Sequence, residues 1–153
     1  MSLMIALPAS LLLSALWSAA APQLPTLPDA RGKKTVEKLC SNCHGTAILF
    51  GPKRTREAWR KTVDQMAALG VEGADEEFDA VVDYLARNFG KINVNRASAV
   101  ELRDVLGISL QEAEAIARCR EVHGEFKDFE GLKKVPGMDP RKVAERRDRV
   151  LFR

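Results

Sequence analysis

The run Cys40-Ser41-Asn42-Cys43-His44 constrains this chain more than any other stretch of its 153 residues. Two thiols three positions apart occupy one helical turn and face the same way, with an imidazole at the next position. That spacing lets both sulfurs reach the two vinyl groups of one porphyrin as thioethers, while the imidazole meets the iron from the same side. The expectation is one covalently attached haem c, held through Cys40 and Cys43, with His44 on the metal. Two other chemistries share the run. A disulfide of thioredoxin type asks for a preceding strand and a βαβ pattern, and the sequence has neither. A zinc site asks for further ligands, yet the other histidine, His123, lies 79 residues on.

The chain's beginning bears on where such chemistry takes place. No charged side chain precedes Asp29, and Leu3 to Ala20 is almost wholly apolar, interrupted by Pro8, Ser10 and Ser14. It ends in Ser18-Ala19-Ala20, a small-x-small pattern suited to signal peptidase, and a Pro-rich stretch follows from Pro22 to Pro28. The reading is an export signal over 1–20, cut after Ala20, a Pro-rich lead over 21–31, and a periplasmic mature protein. No Lys or Arg precedes the apolar core, so an uncleaved membrane anchor stays open as the alternative. The absence of cysteine near the cut argues against a lipoprotein.

Behind the lead, β-branched runs are short, and Ala, Leu, Glu, Lys and Arg dominate, so the fold class is all-α. The 24 Lys+Arg and 21 Asp+Glu give a net charge of +3, which neither demands nor excludes a nucleic-acid partner. The whole excess lies beyond residue 90. Phe89-Gly90 closes one helical pattern and Lys91-Ile92-Asn93-Val94-Asn95 opens another, which sets the domains at 32–90 and 91–153 with almost no linker.

In the first of these, Val36 and Leu39 predict a short helix from Gly32 into the cysteine run. Phe78, Val81, Val82 and Leu85 give a second amphipathic stripe behind the acidic turn Asp75-Glu76-Glu77. With the Tyr84-Leu85 pair, residues 32–90 resemble the small monohaem class I cytochrome c fold, in which first and last helices cross beside the haem. The run Trp59, Val63, Met66, Gly70 and Tyr84-Leu85-Ala86 is similar to the haem domains of periplasmic quinohaemoprotein dehydrogenases. Met66 is the lone methionine between residues 5 and 137, and Trp59, Val63 and Met66 stand at i, i+4 and i+7. The resemblance puts the distal sulfur there, against the alternative of Met66 as core filler. Arg54, Arg56 and Trp59 are candidate donors to haem propionates, or else belong to a solvated helix start.

The second domain repeats itself. Val105-Leu106-Gly107-Ile108-Ser109 and Val135-Pro136-Gly137-Met138-Asp139 each read as helix, Gly-apolar-X hairpin, helix, with capping boxes Ser98-x-x-Glu101 and Ser109-x-x-Glu112. Residues 92–151 resemble a tandem helix-hairpin-helix module of the competence-type DNA receptor, a fold that also serves in protein interaction, for instance in an extrinsic photosystem subunit. The resemblance implies backbone N–H groups at each hairpin facing phosphates, which makes Gly107, Ser109, Gly137, Arg141 and Lys142 the candidate DNA contacts. Asp139 opposes that role with its charge, and Glu145 and Asp148 break up the basic face of Arg146, Arg147 and Arg149. Any nucleic-acid binding is therefore expected to be weak and salt-sensitive. Cys119 shares a face with Ile116 and reads as an inert thiol.

No acid–base pair, nucleophile or substrate pocket is evident in the sequence. It points to an electron carrier rather than an enzyme, with a redox protein partner such as a periplasmic dehydrogenase. The alternative is an envelope DNA-binding or tethering module in which haem is structural or regulatory.

Overall fold

A computed structural model describes residues 25–153, and the export-signal reading of 1–20 lies outside them. Among the described residues no helix is long and apolar enough to cross a membrane. The chain runs through α1 (Lys33–Cys40), a 3-10 turn (Thr46–Phe50), α2 (Arg56–Ala68) and α3 (Asp75–Phe89). It continues through β1 (Ile92–Asn93), α4 (Ala99–Leu106), α5 (Leu110–His123), α6 (Phe129–Lys133), α7 (Pro140–Ala144), a 3-10 turn (Arg147–Arg149) and β2 (Val150–Leu151). The protein is mostly helical, with seven α-helices in this span.

The first half is organised by α3. Asp75, Glu76 and Glu77 lie in its first turn, where the helix dipole favours negative charge. Its buried face, with Val81, Val82, Tyr84, Leu85 and Phe89, packs against both α1 and α2. Gly32 caps α1 with φ +96°, and a Cβ there would lie 3.1 Å from the Tyr84 Cβ, so this glycine lets α1 close onto α3. The lead does not stand apart from this core, as the sequence division at 31/32 has it. Leu27 is buried among the same residues, and the Tyr84 hydroxyl donates to the Pro28 carbonyl at 2.7 Å.

The second half has its own core, built on Leu102, Leu106, Ile116, Leu132, Val143 and their neighbours. Both sequence-read capping boxes form, at Ser98–Glu101 and Ser109–Glu112. Among the described residues the departures from an all-α fold are an isolated bridge, Arg54↔Gly90, and a parallel pair, β1 with β2, in register Ile92↔Val150 and Asn93↔Leu151. The pair ties the end of the chain to the start of this half, and Arg120 closes it by donating to the Val94 carbonyl at 2.7 Å.

The halves meet directly. The Lys91 N–H, at the start of the second half, donates to the Arg54 carbonyl at 2.8 Å. Arg149 donates to the carbonyls of Arg87 and Asn88 at 2.9 and 2.7 Å and to that of Val105 at 3.1 Å. Lys53 pairs with Asp148.

Candidate functional sites

A cleft of about 350 Å³ opens in the first half, walled by the end of α1, the following 3-10 turn, α2 and α3. Cys40 closes the last turn of α1, and Cys43 and His44 follow on the rim. Thr55 starts α2 by accepting from the Ala58 N–H at 3.2 Å, and the helix then turns Trp59, Val63 and Met66 onto the cleft. From α3 come Phe78, Val81 and Leu85. Four groups that the sequence separates by up to 26 positions, the two thiols, the imidazole and the Met66 sulfur, thus border one apolar space.

Of the two thiols on the rim, Cys40 is the more buried. Burial pushes the Cys40 thiol up from its ordinary range, so it stays protonated at neutral pH. His44 sits with Nδ1 3.2 Å from the Gly45 carbonyl. With its proton on Nδ1 the ring donates there and leaves the Nε2 lone pair free for a metal. Among the described residues no three His, Cys, Asp or Glu side chains gather as a metal cluster, and a helix rather than a strand leads into Cys40. The residue types fit a haem: an apolar slot, two thiols on one rim, and an imidazole and a thioether bordering it.

The propionate donors sort themselves differently from the sequence expectation. Arg54 borders the cleft, donates to the Thr62 Oγ1 at 2.9 Å, and lies 5.3 Å from the Trp59 ring centroid. Trp59 faces the cleft with its ring alone, because its Nε1–H is buried and donates to the Phe89 carbonyl at 3.2 Å. Arg56 pairs with Asp83 and faces a second cleft, between the halves. Only Arg54 keeps the expected place. A donor's direction depends on which helix its neighbour crosses, and α2 spacing says nothing of that. Phe78, Val81 and Leu85 follow helix periodicity in the sequence, whereas Ile48 and Leu49, which complete the apolar wall from the 3-10 turn, carry no such pattern. Ile48 and Leu69 also border the cleft and are 69% and 79% exposed.

In the second half, Gly107 and Gly137 take φ +65° and +81°, the left-handed turn each hairpin needs. Ser109 and Asp139 then cap α5 and α7, and Asp139 accepts from the Arg141 N–H at 2.9 Å. Asp139 sits well below the ordinary carboxylate range, held there by that N–H and the Arg141 side chain. Glu112, which sequence reasoning took only as a capping-box partner, proves central. It is 7% exposed, and its carboxylate accepts from the Ser109 N–H at 2.7 Å and the Asp139 N–H at 3.3 Å. Lys142 Nζ stands 3.1 and 3.2 Å from its two oxygens. The Ser109 N–H and hydroxyl, then Lys142 and the Asp139 N–H, pull its pKa down to about 2 against the opposing effect of burial. Of the candidate DNA contacts, Ser109 and Lys142 are thus engaged with Glu112, and Arg141 with Asp139. Arg149 is bound to the helix ends between the halves, and Arg147 lies over the Phe129 ring. Cys119 packs half-buried against the second core, as expected of an inert thiol.

Residues 87–150 match the helix-hairpin-helix motif family, which places that motif in the C-terminal part of the chain. An uncharacterized protein of Haemophilus influenzae is 41% identical over 63 residues, 40% of this chain and 56% of that protein. The chain thus spans about half the length of that curated relative. No solved structure matches.

Proposed function

We propose that this protein is a periplasmic carrier of single electrons, with one haem c held in the first half and the helix-hairpin-helix half as its docking module. One observation carries the reading: Cys40, Cys43, His44 and Met66 border a single apolar cleft. Cys40 and Cys43 would hold the group as thioethers, and His44 Nε2 and the Met66 sulfur would bind its iron. Bound there, haem supplies a one-electron ferric/ferrous couple whose potential the ligands and the apolar wall tune. The side chains do the rest. Val63, Val81 and Leu85 keep water from the slot, Arg54 offers charge to a carboxylate at its edge, and the Gly45 carbonyl orients His44. The proposed role is that of a carrier, its partner a redox protein such as a dehydrogenase.

The test is direct. Produced with a periplasmic c-haem assembly system, the full chain should carry one haem that survives acid–acetone extraction. Extractable haem, or zinc in place of iron, overturns the proposal.

The family match favours a second reading for the other half, an envelope module that binds or tethers DNA. Arg146 and Arg147, exposed beyond α7, would then supply weak contacts to phosphate. A duplex-binding titration between low and physiological salt tests it, and a steep loss of binding is the expected behaviour.

A further inference from the structure

The two hairpins repeat at a spacing of 30 residues, and the repeat brings unlike charges together. Gly107 corresponds to Gly137, Ser109 to Asp139, and Glu112 to Lys142. The last pair is in contact: the equivalent positions of the two repeats form the Lys142–Glu112 bridge. Around the Glu112 carboxylate stand two backbone N–H groups, one from each hairpin, and an ammonium. Backbone N–H groups flanked by a lysine are the constellation that proteins use for phosphate oxygens. Here it is satisfied by a carboxylate of the chain itself, and that carboxylate is 7% exposed.

We infer that Glu112 is an internal anion that closes the hairpin pair to nucleic-acid phosphate, and so determines what this module can bind. A phosphate approaching the Ser109 and Asp139 N–H groups meets two donors already engaged and a fixed negative charge beside them. Displacing Glu112 would break its bonds to both N–H groups and to Lys142, and the phosphate would have to replace them all. Nucleic acid is left with only the rim, on Arg146 and Arg147. The inference bears on the DNA reading of the second half and is independent of the haem reading, whose test is haem content.

The experiment measures anisotropy of a labelled DNA duplex with the full chain as purified. The wild type should bind weakly, and Lys142→Ala, on an exposed side chain, should change that within about twofold, because Lys142 is turned to Glu112. Glu112→Gln removes the charge and frees Lys142. It should bind about tenfold tighter at low salt, with a salt dependence steeper by about one. Adding Lys142→Ala to it should remove the gain. A wild type that loses binding with Lys142→Ala overturns the inference, and so does a folded Glu112→Gln chain with no gain. The Lys142→Ala arm decides the matter alone should Glu112→Gln fail to fold.

Discussion

Met66 and Trp59 face the same cleft from one helix, and their heads have opposite fates. The Met66 side chain is half-buried, whereas the Trp59 N–H is tied to the Phe89 carbonyl. If Met66 is the distal ligand, a ferric near-infrared sulfur-to-iron band should be present in the wild type and absent in Met66→Ala. The potential should fall in that variant, because thioether ligation favours ferrous iron. Trp59→Phe makes a contrasting case. Phe89 keeps the Arg54 N–H as a donor, so losing the indole bond should cost about 1 kcal/mol in urea unfolding, while haem content stays the same. A large loss of haem in Trp59→Phe would show that the indole holds the group after all.

At the scale of the element, the second half depends on how its helices begin. α5 starts on Ser109 with Glu112 reaching back, and the same carboxylate reaches across to the start of α7. Its pKa of about 2 lies below the ordinary value of about 4, so its ionised form is favoured by folding. The stability it contributes is therefore complete above pH of about 5 and is lost as pH falls through about 4 towards 2. Acid titration followed by circular dichroism should show Glu112→Gln less stable than the wild type at neutral pH, the two converging near pH 2. A constant gap across that range rules out ionisation as the cause. Gly107 gives an independent measure of the hairpin. A Cβ there meets nothing within 4 Å, so Gly107→Ala should cost about 1 kcal/mol from backbone strain alone.

For the whole molecule, the question is whether two small cores behave as one. Arg149 sits half-buried, its guanidinium on three carbonyls at the C-terminal ends of α3 and α4, one helix from each half. Helix C-termini carry partial negative charge, so this one cation satisfies both. The wild type should unfold in a single transition. Arg149→Leu should lower its stability by about 2 kcal/mol and, with Lys53→Ala, separate the melting of the two halves. Coincident transitions in the double variant would place the coupling instead in the Arg54–Lys91 backbone contacts.

What could be read along the chain is what is written at a spacing of three or four. Cys40, Cys43 and His44 fall within one turn and its continuation, Trp59, Val63 and Met66 share a face, and Ser109 and Glu112 cap one helix. In each case the physics is local: helix geometry sets the last two, and the short turn after α1, which ends at Cys40, sets the first. The helix-hairpin-helix repeat was legible for the same reason. The partner of a polar hydrogen is another matter. The Trp59 N–H found Phe89 at a separation of 30 residues, Arg56 found Asp83 at 27, and Glu112 found Asp139 and Lys142 in the other hairpin. Those choices follow from how helices cross, which depends on the packing of every apolar residue between them and on no short pattern. The lead shows the same rule from the apolar side, since Leu27 joined the first core only because α3 presented Tyr84 and its neighbours to cover it.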